Sequence, residues 1–160
     1  MLAAQDRQRL SIFLNRGTEM SELKLEAKSF FDYIENGVLV GSRCLNCGHI
    51  SLPQRYICPK CKSDQAELIE FSGKGKLAAF TVIYVPATEM LAAGYDAKHP
   101  YMVGIVALDE GPRISAQIVG MDLSDPQKIM IGTPLKMTSL DRVMGEAQKK
   151  VLAFEPAEME

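Results

Sequence analysis

This chain of 160 residues has four cysteines, placed as Cys44-x-x-Cys47 and Cys58-x-x-Cys61 with ten residues between the pairs. Two C-x-x-C pairs at short separation are the sequence form of a tetrahedral four-cysteine zinc site. Each C-x-x-C turn sets two sulfurs and several backbone N–H groups around one metal, and a short hairpin brings the second turn opposite the first. Gly48 follows the first pair, where such a turn needs a positive φ. Lys62 holds the matching place after the second pair, a poorer fit. Other readings use the same residues. Two structural disulfides belong to secreted chains, and the opening Met-Leu-Ala-Ala-Gln-Asp-Arg lacks the charged-then-apolar order of a secretory signal. A redox C-x-x-C sits singly at a helix start. An iron site of rubredoxin type takes the same four ligands as zinc, and spacing does not separate the two metals. Cys44, Cys47, Cys58 and Cys61 are therefore the expected metal ligands, zinc the expected ion, and the cytoplasm the expected compartment. Four thiolates close the coordination shell, which leaves His49 as a surface residue.

Charge narrows the function further. The formal net charge is −2, with nine basic and nine acidic residues in 1–70 and nine and eleven in 71–160. Nucleic-acid binding draws most of its affinity from phosphate neutralisation and leaves a basic footprint. Neither half has one, and aromatic residues make up only 7% of the chain. The segment 43–63 is the local exception, with Arg43, Arg55, Lys60 and Lys62 and no acid. Those cations either offset the −2 charge of a four-thiolate zinc centre, donating toward sulfur, or form a landing strip for the phosphates of a ligand. The longest apolar run, Met102 to Leu108, has seven residues, against about 20 for a bilayer span.

Periodicity places these features on a mainly β chain. Leu23, Ala27, Phe30, Phe31 and Ile34 form one apolar stripe at helical spacing, with Ser21 as N-cap and Asn36-Gly37 as the stop. Both phenylalanines are expected to pack, on the rest of the fold or on a partner. Residues 1–20 read as a short helix or arm. Strands are expected at Val38–Cys44, Ile50–Gln54 and Ala66–Phe71, then at Lys76–Val85, where both faces are apolar and the strand reads as central. Pro86 to Pro100 is a long connection of the kind that is often functional. Tyr101–Leu108, Ile114–Val119, Leu135–Leu140 and Lys149–Phe154 complete about five short strands with Gly turns, which suggests a small barrel.

The same residues resemble a family. Phe30-Phe31, Gly37-x-Leu39, Cys44-x-x-Cys47-Gly48, Pro53, Cys58-Pro59-x-Cys61, Gly73-x-Gly75, Leu108 through Arg113, and Gly132-x-Pro134 follow the order seen in rubredoxin-like zinc-ribbon plus OB-fold proteins of acyl-CoA metabolism. The resemblance covers about residues 22–155 and departs at Lys62 and in the N-terminal arm. It implies an arm and helix over 1–36, a zinc ribbon over 37–70 and a five-stranded OB-fold barrel over 71–155. It also implies an accessory subunit, since members of this family pair with thiolases, hydroxymethylglutaryl-CoA synthase or hydratase-type partners and help hold acyl-CoA.

The residues agree with that role in what they lack: no G-x-S-x-G, H-E-x-x-H or P-loop is present, and a thiolase needs free cysteines that this chain does not offer. No catalytic residue is expected. A nucleic-acid-binding OB protein and a ligand-free interaction module are the alternatives. If a CoA thioester touches the chain, the cations Arg43, Arg55, Lys60, Lys74 and Lys76 would meet its phosphates. Tyr95 and His99, in the long connection with Met90 and Leu91, would line its apolar arm.

Overall fold

The computed structural model describes residues 27–144 and 147–157. The expected N-cap Ser21, the first turns of the expected helix, the expected arm, residues 145–146 and the end of the acidic tail lie outside them. Helix α1 spans Ala27–Glu35 and ends as its sequence dictates. Gly37 takes φ +76°, its N–H reaches the Ile34 carbonyl and the Val38 N–H the Tyr33 carbonyl, the paired bonds that satisfy a helix C-terminus when glycine follows it. Phe30 and Ile34 are buried, but Phe31 is 64% exposed. Phe30 faces into the fold and Phe31 meets it edge-on while facing out, because adjacent helical positions point about 100° apart.

Two compact units follow, one holding Val38–Phe71 and the other running from Ser72. The first is a three-stranded antiparallel sheet of β1 (Val40–Cys44), β2 (Ile50–Ser51) and β3 (Ala66–Glu70), with β1 central. Register pairs Arg43 with Ile50 on one side and Cys44 with Ala66 on the other. Leu39, Val40 and Phe71 are buried beside it. Gly41 has no alternative, because a Cβ there would lie 2.5 Å from both the Phe71 ring and the Ser51 carbonyl. Strand β2 stops three residues earlier than expected. Pro53 cannot donate to a ladder, and past it the buried Ser42 hydroxyl takes over, accepting the Arg55 N–H at 2.9 Å and donating to the Arg55 carbonyl at 3.2 Å.

The second unit is a closed five-stranded barrel. Its strands are β4 (Lys74–Ile83), β5 (Tyr101–Leu108), β6 (Arg113–Ile118), β7 (Pro134–Met144) and β8 (Ala147–Pro156). Spatial order around the barrel is β4-β5-β6-β8-β7, the Greek-key closure of an OB-fold. Leu77, Met102, Val106, Leu135 and Phe154 fill its interior, each 1% exposed or less. Strand β4 corrects the expectation of a strand buried on both faces. A bulge between Leu77 and Ala79 shifts the alternation, so Gly75 and Leu77 are buried while Ala79 and Thr81 are exposed. Such an extra residue reverses which side chains face the core. The long connection also holds a helix, α2 (Thr88–Ala92), with Met90 as its buried residue.

Two glycines set the barrel's tolerance. At Gly75 a Cβ would sit 2.5 Å from the Ala107 carbonyl oxygen, whereas at Gly104 the nearest atoms are side-chain ends, Ile118 Cγ1 at 2.8 Å and Leu77 Cδ1 at 2.9 Å. Backbone in a sheet yields less than a side chain. Gly75→Ala is expected to destabilise by about 3 kcal/mol and Gly104→Ala by about 1–2 kcal/mol; urea unfolding that gives equal losses would refute this ranking.

Candidate metal centre and the barrel face

The four sulfurs lie within 4.8 Å of one another. Cys44 Sγ and Cys61 Sγ are 3.5 Å apart, and Cys47 Sγ and Cys58 Sγ 3.6 Å. Thiolates about 2.3 Å from one tetrahedral ion stand roughly 3.8 Å apart, so the donor set fits a single cation of that size. The two turns are built alike. In the first, the Cys44 N–H bonds to the His49 carbonyl and the Gly48 N–H to the Cys44 carbonyl; in the second, the Cys58 N–H bonds to the Ser63 carbonyl and the Lys62 N–H to the Cys58 carbonyl, each at 2.9 Å. Gly48 has φ +71° and Lys62 φ +63°. Lys62 is the one non-glycine with positive φ among the described residues, forced there by the geometry that Gly48 meets freely.

Backbone N–H groups also point at the sulfurs. The Ser63 N–H, then the Asn46 side-chain amide, hold the Cys61 thiol down to about 6, with Asn46 Nδ2 at 3.5 Å. The Cys61 and Lys60 N–H groups lower Cys58 likewise. The His49 N–H favours the Cys47 thiolate, but desolvation and the neighbouring sulfurs outweigh it and push that thiol up to about 12. The split follows from electrostatics, since clustered anions resist sharing a site until a cation offsets them.

The seven residues considered for CoA are divided between the two units. In the first, Arg43 pairs with Glu67 at 3.4 Å, and Arg55 and Lys60 are exposed. Lys74 and Lys76 are exposed at the start of β4. Tyr95 and His99 belong to the connection that leaves its other end, so seven strand residues, roughly 20 Å, separate Lys76 from that end. His99 Nδ1 lies 3.1 Å from Asp96 Oδ1 on the surface, and the His99 and Lys98 N–H groups hold the Asp96 carboxyl low. Tyr95 stacks on Tyr101, with ring centroids 5.1 Å apart, and its hydroxyl accepts from Gln117 Nε2 at 2.8 Å. Gln117 Oε1 in turn accepts from Arg142 Nη2. Gln117 is 8% exposed although it sits on the outward face of β6, opposite Val103. The connection and β7 therefore meet over the outer face of the barrel through one amide.

The family description of the ChsH2 rubredoxin-like zinc ribbon domain matches residues 31–67, and that of the ChsH2 C-terminal OB-fold domain matches residues 68–139. A DUF35 domain-containing scaffold protein of Methanothermobacter thermautotrophicus is 38% identical over 72% of this chain and 81% of its own length. The chain belongs to the DUF35 scaffold family. The benzoylsuccinyl-CoA thiolase subunit BbsA of Thauera aromatica is 32% identical over 59% of this chain and 64% of its own. Among solved structures, the Ltp2-ChsH2(DUF35) aldolase aligns with a TM-score of 0.65 and 26% identity, covering 87% of this chain and 98% of that one.

Within this DUF35 chain, Asn46, Gln117 and Arg142 are contributions that sequence reasoning passes over. A lone Gln in the strand Arg113–Ile118 is the available signal for the second; nothing local marks the others. The Lys62 φ makes a direct test. Lys62→Gly relieves a left-handed residue at a cost of about 1–2 kcal/mol and loosens the unfolded chain by about 0.4–1 kcal/mol. A net gain in stability of about 0.5–1 kcal/mol is expected in thermal unfolding, and a loss would contradict the account.

Proposed function

We propose that this DUF35 chain is a non-catalytic, zinc-stabilised accessory subunit of an acyl-CoA-processing complex of thiolase type. The observation that carries the reading is the gathering of all four cysteines of the sequence into one cluster, which ties every thiol to metal binding and leaves the acyl-transferring nucleophile to a partner. The thiolase-subunit and aldolase relatives support a partner of that class. Zinc bound by Cys44, Cys47, Cys58 and Cys61 has no open position, so its role is structural: it fixes two turns in a unit too small to hold them by apolar burial alone. Holding the acyl-CoA is a property of the assembled complex, with the exposed Lys74 and Lys76 offered to its phosphates.

The purified chain should carry about one equivalent of zinc, and Cys58→Ser should lose metal and partner binding together. Metal affinity follows the thiolates. Acidification protonates them and releases zinc, and returning to neutral pH restores it. Cys61, lowered to about 6, is already thiolate at neutral pH, while Cys47, raised to about 12, must give up its proton when metal enters. Proton release on zinc addition, read with an indicator dye, measures this, and its absence would refute the thiolate site.

Turnover should appear only when the chain and its partner are combined, and Lys74→Ala with Lys76→Ala should raise KM for acyl-CoA several-fold, since exposed charge contacts are worth about 0.2–1 kcal/mol each. Turnover by the chain alone would end the accessory-subunit reading. An unchanged KM in an intact complex would end the phosphate assignment alone.

A further inference from the structure

Both metal-binding turns carry large apolar side chains on the outside. Leu45, next to Cys44, is 59% exposed; Tyr56 and Ile57, just before Cys58, are 57% and 56% exposed. A unit that buries Leu39, Val40 and Phe71 leaves three side chains of similar size in water, all within two residues of a cysteine in one cluster. Around them stand Arg55, Lys60 and Lys62, all exposed.

The cations are not explained by the metal. Hydrogen bonds to the sulfurs come from backbone N–H groups and from Asn46. Among the described residues, neither an ion pair nor a bond to sulfur engages the side chain of Arg55, Lys60 or Lys62, whereas Arg43 has Glu67. No acid lies between residues 43 and 63 to neutralise them. The surface is also preorganised, because the Ser42 hydroxyl grips the Arg55 backbone at both N–H and carbonyl and the cysteine cluster fixes the turns on either side. An ordered apolar centre with a charged rim of one sign is the anatomy of a protein interface.

We propose that Leu45, Tyr56 and Ile57, rimmed by Arg55, Lys60 and Lys62, form the face that docks the catalytic subunit, and that the complementary patch on that subunit is apolar at its centre and rimmed by carboxylates. The inference rests on the accessory-subunit reading. Charge complementarity selects the acidic rim. Leu45 and Ile57 select protein over nucleic acid, because a single Tyr offers no succession of stacking platforms.

The test uses the zinc-loaded full chain and the acyl-CoA enzyme subunit that co-purifies with it, identified by mass spectrometry and then purified. Tyr56→Ser with Ile57→Ser should raise Kd at least tenfold. Arg55→Glu with Lys60→Glu should slow association and flatten its dependence on salt, as rim charges act mainly on the on-rate. Met130→Ser, on the barrel, should change neither, although Met130 is 74% exposed. Zinc content is measured in every variant, and if the apolar pair loses metal, the charge-reversed pair decides. Wild-type affinity in both zinc-loaded pairs, or a loss with Met130→Ser instead, overturns the docking face while leaving the accessory role standing. A single-stranded oligonucleotide bound by the wild type and released by Arg55→Glu with Lys60→Glu, with subunit affinity intact, also overturns it. Failure of the wild type to bind any such subunit removes the accessory reading and this inference with it.

Discussion

Four sulfurs crowded within 4.8 Å are the constraint on which the first unit depends. Its three strands of five, two and five residues bury too little apolar surface to hold two tight turns against each other. The cluster supplies the missing cross-link, and local details serve it: positive φ at Gly48 and Lys62, N–H groups directed at sulfur, and an asparagine amide in place of a cation. The buried Ser42 then carries the order outward to Arg55. The order of the cysteine cluster thus extends to a surface beyond the cysteines themselves.

The barrel depends on a different force. Its interior is apolar, built around Phe154 and Met102, and its ordering follows from burial and strand register. Polar chemistry is confined to the outside, where Gln117 answers both Tyr95 and Arg142. A buried amide with each end satisfied costs little and fixes the two elements it joins. The connection from Tyr84 to Pro100 is consequently tied down at Tyr95, although much of it is exposed.

Much of this is legible in the sequence because the signals are discrete. Cysteine spacing locates the cluster, Asn36-Gly37 the helix end, and Gly-punctuated apolar runs the five barrel strands in order. The failures are cases where one residue's effect depends on a distant partner. The β4 bulge shifts Ala79 outward because of how β5 runs beside it. Helix α2 is five residues long and has no side-chain cap, so it carries no start signal. The hairpin of β7 and β8 extends to Met144 and Ala147, beyond the apolar stretch that marks it, because cross-strand pairing continues through Asp141, Arg142, Lys149 and Lys150. Lys62 reads as a poor fit, yet the turn imposes the conformation of Gly48 on it.

The barrel is closed by unequal seams. Strands β7 and β8 pair through ten positions, and β4 with β5 through eight, but the parallel seam between β6 and β8 holds only Gln117 against Ala153 and Ile118 against Phe154. Local opening begins where the fewest backbone bonds must break. That seam divides the sequence-contiguous meander β4–β5–β6 from the hairpin β7–β8, which are otherwise joined by the β4–β7 ladder at residues 74–76 and 134–136 with its flanking backbone bonds and by the Arg142 side chain on Gln117. The β6–β8 seam is thereby the barrel's shortest strand ladder, and amide exchange would enter at Gln117 and Phe154 while the middle of each hairpin stays closed.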